Sequence, residues 1–169
     1  QTLGDHVQQA GSYVSDQYTR FDFTHFKKVE PAQLKIIEDW MNQQIFQGYP
    51  VSATHMELET AKASGATALF NEKYDPIVRV VDIEGLSKEL CGGTHVENTR
   101  EIGIAKLISE ESIGSGIRRI VCKTKMEAYQ QYQHAFRQLE TIAQILKVPT
   151  IQNIEDKVQQ LWDTHVTEQ

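Results

Sequence analysis

From Tyr13 to Phe26 the chain alternates between apolar and polar positions. Phe21 and Phe23 fall on one side of an extended backbone, Asp22 and Thr24 on the other, the period-two pattern of a half-buried strand. Glu30-Pro31 then opens a helix, because proline is tolerated in the first turn, where its missing N–H has no partner to lose. Leu34, Ile37, Met41 and Ile45 recur at helical spacing with Trp40 beside them, and Gly48 before Pro50 stops the run. Val51–Leu58 reads as a strand and Thr60–Ala63 as a short helix stopped by Gly65. Pro76–Ile83, dense in β-branched residues, reads as a strand that leads through a turn at Glu84-Gly85 toward Cys91. Ile102–Ile108 and Ile117–Cys122 read as two further strands joined through Ile113–Gly116. The pattern predicts an α+β fold with a mostly antiparallel sheet and packed helices.

Beyond Thr124 the pattern changes. Tyr129, Tyr132, Phe136, Leu139, Ala143 and Leu146 repeat at alternating spacings of three and four, a heptad seam. Val148-Pro149 interrupts it, and Ile151, Ile154, Val158 and Leu161 resume it. The expectation is an α+β domain over residues 1–124 and a C-terminal helical hairpin over 125–169, its two stripes facing each other. Stripes only partly covered in that way would leave the tail open to self-association.

Composition narrows the class. With 169 residues, 40% of them hydrophobic, the chain has material for a real core. It holds two cysteines, Cys91 and Cys122, which is no disulfide framework and fits a reducing, cytoplasmic setting. No apolar run approaches a membrane span, so no membrane role is expected. The net charge of −6 argues against a nucleic-acid coat. Within 100–125, however, Arg100, Lys106, Arg118, Arg119, Lys123 and Lys125 face only Glu101, Glu110 and Glu111, a local excess suited either to phosphate or to a solvated strand face. The opening Gln1-Thr2-Leu3-Gly4-Asp5-His6-Val7 lacks an initiator methionine and starts as if inside an element, which reads as a trimmed fragment.

The densest chemistry lies in Leu90-Cys91-Gly92-Gly93-Thr94-His95-Val96. A thiol and an imidazole at C-x3-H spacing are the donors zinc prefers, and the two glycines let the backbone turn to bring them together. Zinc needs about four ligands, or three and an open position, so the run is half a site. Two other readings stand beside it: a plain turn with a buried thiol, and a Cys91 nucleophile served by a nearby histidine.

Several blocks, in order along the chain, carry a resemblance. They are Leu3-Gly4-Asp5-His6-Val7-Gln8-Gln9-Ala10-Gly11-Ser12, Arg20-Phe21-Asp22-Phe23-Thr24-His25-Phe26, Gly65-Ala66-Thr67-Ala68-Leu69-Phe70-Asn71-Glu72-Lys73-Tyr74, Ser87–Val96, Thr99-Arg100-Glu101-Ile102-Gly103 and Gly114–Ile120. Together they resemble the editing domain of the alanyl-tRNA synthetase family over about residues 1–125. Residues 125–169 resemble the start of that family's C-terminal helical region.

The resemblance implies an α+β editing domain of the type also found in threonyl-tRNA synthetases. Such a domain hydrolyses the ester of seryl- or glycyl-tRNA(Ala), because an alanine pocket rejects an added hydroxyl poorly and a second site must correct the product. It implies zinc as cofactor, held by an H-x3-H pair together with Cys91 and His95. That pair is missing from this sequence: His6, His25, His55, His134 and His165 lack the spacing. The resemblance makes Gln9 and Thr94 the catalytic-pocket residues. Gly92 and Gly93 would offer amides to the substrate, and Arg118 and Arg119 would offer charge to the tRNA acceptor end, only one of the two facing it from a strand. The implied partners are the acceptor end of tRNA(Ala) and the rest of the synthetase chain. With half the zinc site missing, a non-catalytic module that docks the acceptor end is the competing expectation.

Overall fold

The computed structural model describes residues 2–68 and 73–167. Leu69 to Glu72, part of one family-like block, lie outside the described residues. The chain divides into two units, 1–127 and 128–169.

The first unit is α+β and holds two antiparallel sheets where one was expected. In chain order its elements are β1 (Gln9–Val14), β2 (Thr19–Thr24), α1 (Pro31–Gln47), β3 (Val51–Glu57), α2 (Leu58–Ala63), β4 (Ile77–Ile83), β5 (Ser87–Leu90), β6 (Ala105–Gly114) and β7 (Ile117–Thr124). One sheet runs β1-β2-β7-β6 and the other β3-β4-β5. The segment read as one strand from Tyr13 to Phe26 is a hairpin. Ser15 closes its turn by accepting from the Gln17 and Tyr18 amides while its own hydroxyl donates to the Tyr18 carbonyl. Such a local side-chain turn breaks a strand without any glycine or proline to announce it.

The helix signals hold. Glu30 and Gln33 form a capping box around Pro31, and Gly48 closes α1 in the left-handed region at φ 74°. A Cβ on Gly48 would meet only the movable end of the exposed Arg100 side chain, so it is the left-handed backbone that calls for glycine here. Helix α1 also treats the edge strand β6 as a strand would. Asn42 donates to the Ala105 carbonyl and accepts from the Ala105 amide, both at 2.8 Å. Glu38 accepts from the Leu107 amide at 2.7 Å and from Lys106 Nζ at 2.8 Å. Those side chains satisfy backbone groups that an uncovered edge would leave open.

Apolar burial follows the alternation. Phe23, Val29 and Ile120 form one cluster, with Leu3, Val7, Leu34 and Leu107 against it. Ile45, Ala105 and Cys122 form another, so Cys122 packs as a small apolar residue. On the second sheet Val78, Val80 and Leu90 pack with Ala61 of α2 and with Ala66.

The C-terminal helices are α3 (Lys125–Leu146) and α4 (Ile154–Thr167), separated as expected around Pro149. The stripes are covered only in part: Ala143 is buried and Leu146, Ile151 and Ile154 are half-buried. Tyr129, Phe136, Leu139, Val158 and Leu161 all remain substantially exposed, Leu139 at 42%. Two helices alone have too little surface to sequester both stripes. That partial cover is what the heptads alone lead one to expect of a two-helix hairpin.

Candidate functional site

The site grows from the end of β5. Strand β4 alternates, so Val78 and Val80 enter the core and Arg79 between them faces away from it. The β4–β5 ladder places Val80 opposite Leu90 and continues for one more step, where the Cys91 amide donates to the Arg79 carbonyl at 3.1 Å. On its other side β5 is joined by the segment around Thr67, whose amide donates to Lys88 O and whose carbonyl accepts from the Leu90 amide, both at 2.9 Å. Cys91 thus leaves a strand held on both edges.

The chain then doubles back through Gly92 and Gly93, and His95 Nε2 comes to 3.2 Å from Cys91 Sγ. Neither glycine uses a positive φ, and a Cβ on Gly92 would meet open space. The turn therefore does not draw on the left-handed freedom the sequence suggested for these glycines. Their small size leaves the loop open to approach. Thr94 and His95 are exposed and Cys91 is half-buried. The loop ends at a single helical turn, Thr99–Ile102, capped by Asn98, whose side chain accepts from the Arg100 amide.

Gln9 begins β1 in the other sheet, at a bulge opposite Phe23 and Asp22. Its side-chain amide reaches Ser12 Oγ at 3.4 Å. It stands on a strand, and among the described residues no hydrogen bond joins it to the Cys91 loop.

Arg118 and Arg119 lie on opposite faces of β7, as adjacent strand residues must. Each is already engaged. Arg118 grips Glu110 with both ends of its fork, and Arg119 grips Asp22 at 2.7 and 2.8 Å. Both carboxylates are held below their usual range. For Asp22 the hydrogen bond from Arg119 is the main cause. For Glu110 burial pushes upward, and the Arg118 hydrogen bond, the Val29 amide and the charges of Arg118 and Lys28 outweigh it. A phosphate would have to compete with these carboxylates for either guanidinium.

Two features escape sequence reasoning. Arg79 Nη1 donates to the Cys91 and Gly93 carbonyls at 2.9 and 2.6 Å, spanning the turn. His6 Nε2 and His25 Nδ1 lie 2.7 Å apart with their rings stacked, at the mouth of the β1–β2 hairpin. A lone arginine in a β-branched strand gives no signal of the first; the second joins residues 19 apart that share no motif.

Among the described residues no three histidine, cysteine or carboxylate side chains gather as a metal cluster. No described helix is long and apolar enough to cross a membrane.

Residues 78–121, from β4 through the Cys91 loop to β7, match the family model described as the threonyl and alanyl tRNA synthetase second additional domain. The alanine–tRNA ligase of Streptococcus mutans is 49% identical over 161 residues, 95% of this chain and 18% of that protein. Those of Streptococcus thermophilus and Enterococcus faecalis are 48% identical over 94% of this chain, again 18% of their own length. The chain spans just under a fifth of these relatives. Along nearly its whole length the chain is similar to a segment of alanine–tRNA ligases, and within it residues 78–121 match the second additional domain shared by the threonyl and alanyl tRNA synthetases.

Proposed function

We propose that this chain is the editing segment of an alanine–tRNA ligase and that it hydrolyses the ester of seryl- or glycyl-tRNA(Ala) in a zinc-dependent site, in the cytoplasm. The observation that carries the reading is the approach of Cys91 Sγ to His95 Nε2, 3.2 Å, in an exposed loop. Thiolate and imidazole bonded to one tetrahedral zinc stand roughly 3.5 Å apart, so the pair fits two positions of such a site. Cys91 and His95 would hold the metal together with donors supplied from outside the described residues. When bound, zinc would supply a Lewis acid close to the ester.

The chain's own residues do the rest of the work in this reading. Gly92 and Gly93 leave room for the aminoacyl group beside the loop. Thr94, exposed between the glycines and His95, offers a hydroxyl to the serine side chain or the ester oxygen. Gln9 would read the amino acid from the β1 bulge. The acceptor end of tRNA(Ala) and the remainder of the synthetase are the partners, and the exposed parts of the α3 and α4 stripes offer a surface for self-association.

The test uses the intact ligase. Cys91→Ala should abolish seryl-tRNA deacylation while alanylation continues, and chelation should reproduce the loss. Full deacylation by Cys91→Ala would refute the reading, and chelator-resistant activity would return the thiol mechanism. A docking module without hydrolysis is the second reading, favoured by the two-donor cluster among the described residues. It predicts acceptor-end binding with no deacylation.

A further inference from the structure

We propose that Arg79 is a positioning residue, the side chain that sets the shape of the Cys91–His95 loop and so the approach of thiol to imidazole. The inference rests on the editing reading for its purpose, though not for its geometry. Gly92-Gly93 is the most permissive dipeptide a loop can contain, and left to itself it samples many turns. In this structure the carbonyls on either side of Gly92 both converge on Arg79 Nη1. That nitrogen carries two hydrogens and donates one to Cys91 O, 2.9 Å, and one to Gly93 O, 2.6 Å. The same residue accepts the Cys91 amide through its own carbonyl at 3.1 Å. Arg79 is therefore tied to the first residue of the loop through its backbone, and to the first and third through its side chain.

The support beneath Arg79 is rigid. Val78 and Val80 on either side of it are buried in the core of the second sheet, and its strand is paired with β3 and β5. A guanidinium anchored in this way converts a permissive turn into one conformer, and that conformer returns His95 Nε2 to 3.2 Å from Cys91 Sγ. Groups that orient metal-binding or reacting side chains from behind in this manner typically change affinity or rate by about 10–100-fold when removed.

Two variants test the idea. Arg79→Met keeps the stem and removes every donor; Arg79→Lys returns a single ammonium. In the 169-residue chain, amide order parameters at Gly92, Gly93, Thr94 and His95 should fall from about 0.85 to below about 0.6 in Arg79→Met and lie between in Arg79→Lys. In the intact ligase, Arg79→Met should lower zinc affinity by about 10–100-fold and lower kcat for seryl-tRNA hydrolysis with KM unchanged, Arg79→Lys recovering part of both. Unchanged order parameters in Arg79→Met overturn the proposal whatever the metal does. Lost order with zinc affinity and kcat intact also overturns it, leaving Arg79 a structural residue only. If Cys91→Ala keeps full zinc affinity and hydrolysis, it is the editing reading that fails, and the order parameters alone then decide the role of Arg79.

Discussion

Replacing Glu110 by Gln removes one charge from a pair that is nearly withdrawn from water. The Glu110 side chain is 2% exposed and that of Arg118 13%, and both carboxylate oxygens accept from the guanidinium fork. Glutamine keeps the size and one acceptor oxygen, so packing is unaffected and the loss is electrostatic. It leaves the Arg118 cation unneutralised in a site that water barely reaches. Removing one partner of a buried pair costs about 3–5 kcal/mol, and the retained amide oxygen places Glu110→Gln near the lower end, about 3 kcal/mol. The assay is urea unfolding at pH 7, repeated for Arg118→Met and for the double variant, which isolates the coupling between the two groups. The pH dependence carries a sign. Because the Glu110 carboxyl is held below its ordinary value of 4.5, the stability it contributes is complete above that value and is lost as pH falls through the depressed pKa. The gap between wild type and Glu110→Gln should therefore be full at pH 7 and begin to close only below 4.5. A gap under about 1 kcal/mol at pH 7, the size seen for exposed pairs, or a coupling near zero would refute the argument.

Two further outcomes follow from burial. A covered seam would make Leu139→Asp cost about 2–5 kcal/mol, but with Leu139 42% exposed the cost should be about 1 kcal/mol or less, read as helicity lost on heating; a loss above about 2 kcal/mol would mean that the stripe is covered in solution. Cys122 lies in the core with its thiol pushed up to about 11 by burial, so alkylation at neutral pH followed by mass spectrometry should label Cys91 and leave Cys122 untouched until the protein unfolds; labelling of Cys122 in the native protein would show that the core around Ile45 and Ala105 is open.

Most elements could be read in the sequence because their signals are local. Proline at the start of α1 and glycine at its end act within a turn of the chain. The β-branched run of β4 reports the face that strand buries, whereas of the alternating Phe21 and Phe23 only Phe23 is buried and Phe21 stays 41% exposed. The C-x3-H spacing put Cys91 and His95 within reach of each other, but which turn the two permissive glycines take between them was not written in the spacing. What escaped the sequence depends on partners far along the chain. Arg119 meets Asp22 across 97 residues, and that pairing neutralises one cation of the basic patch. Arg79 meets the Cys91 loop only because β4 and β5 align in one register. Period alone also could not say which part of the α3 seam would stay exposed, because a heptad pattern records which residues share a face and not what covers it.

The loop that follows β5 is fastened at its far end as well as at its start. Thr99, buried, accepts from the Tyr49 amide at 2.9 Å and donates to the Gln44 carbonyl at 3.1 Å, while Asn98 donates to Gly48 O at 2.9 Å. Residues 91–99 are thus a short span anchored at one end to a strand and at the other to the C-terminal end of α1. The entropy of closing that span is lost once, when the domain folds, and not again at each encounter with a ligand. A molecule arriving at Cys91 and His95 meets a frame already set, so its residence there is governed by the contacts it makes and not by the cost of ordering the loop. The two anchors also limit what the segment can accept: a residue inserted between Gly93 and Asn98 would lie between fixed ends and would have to bulge outward.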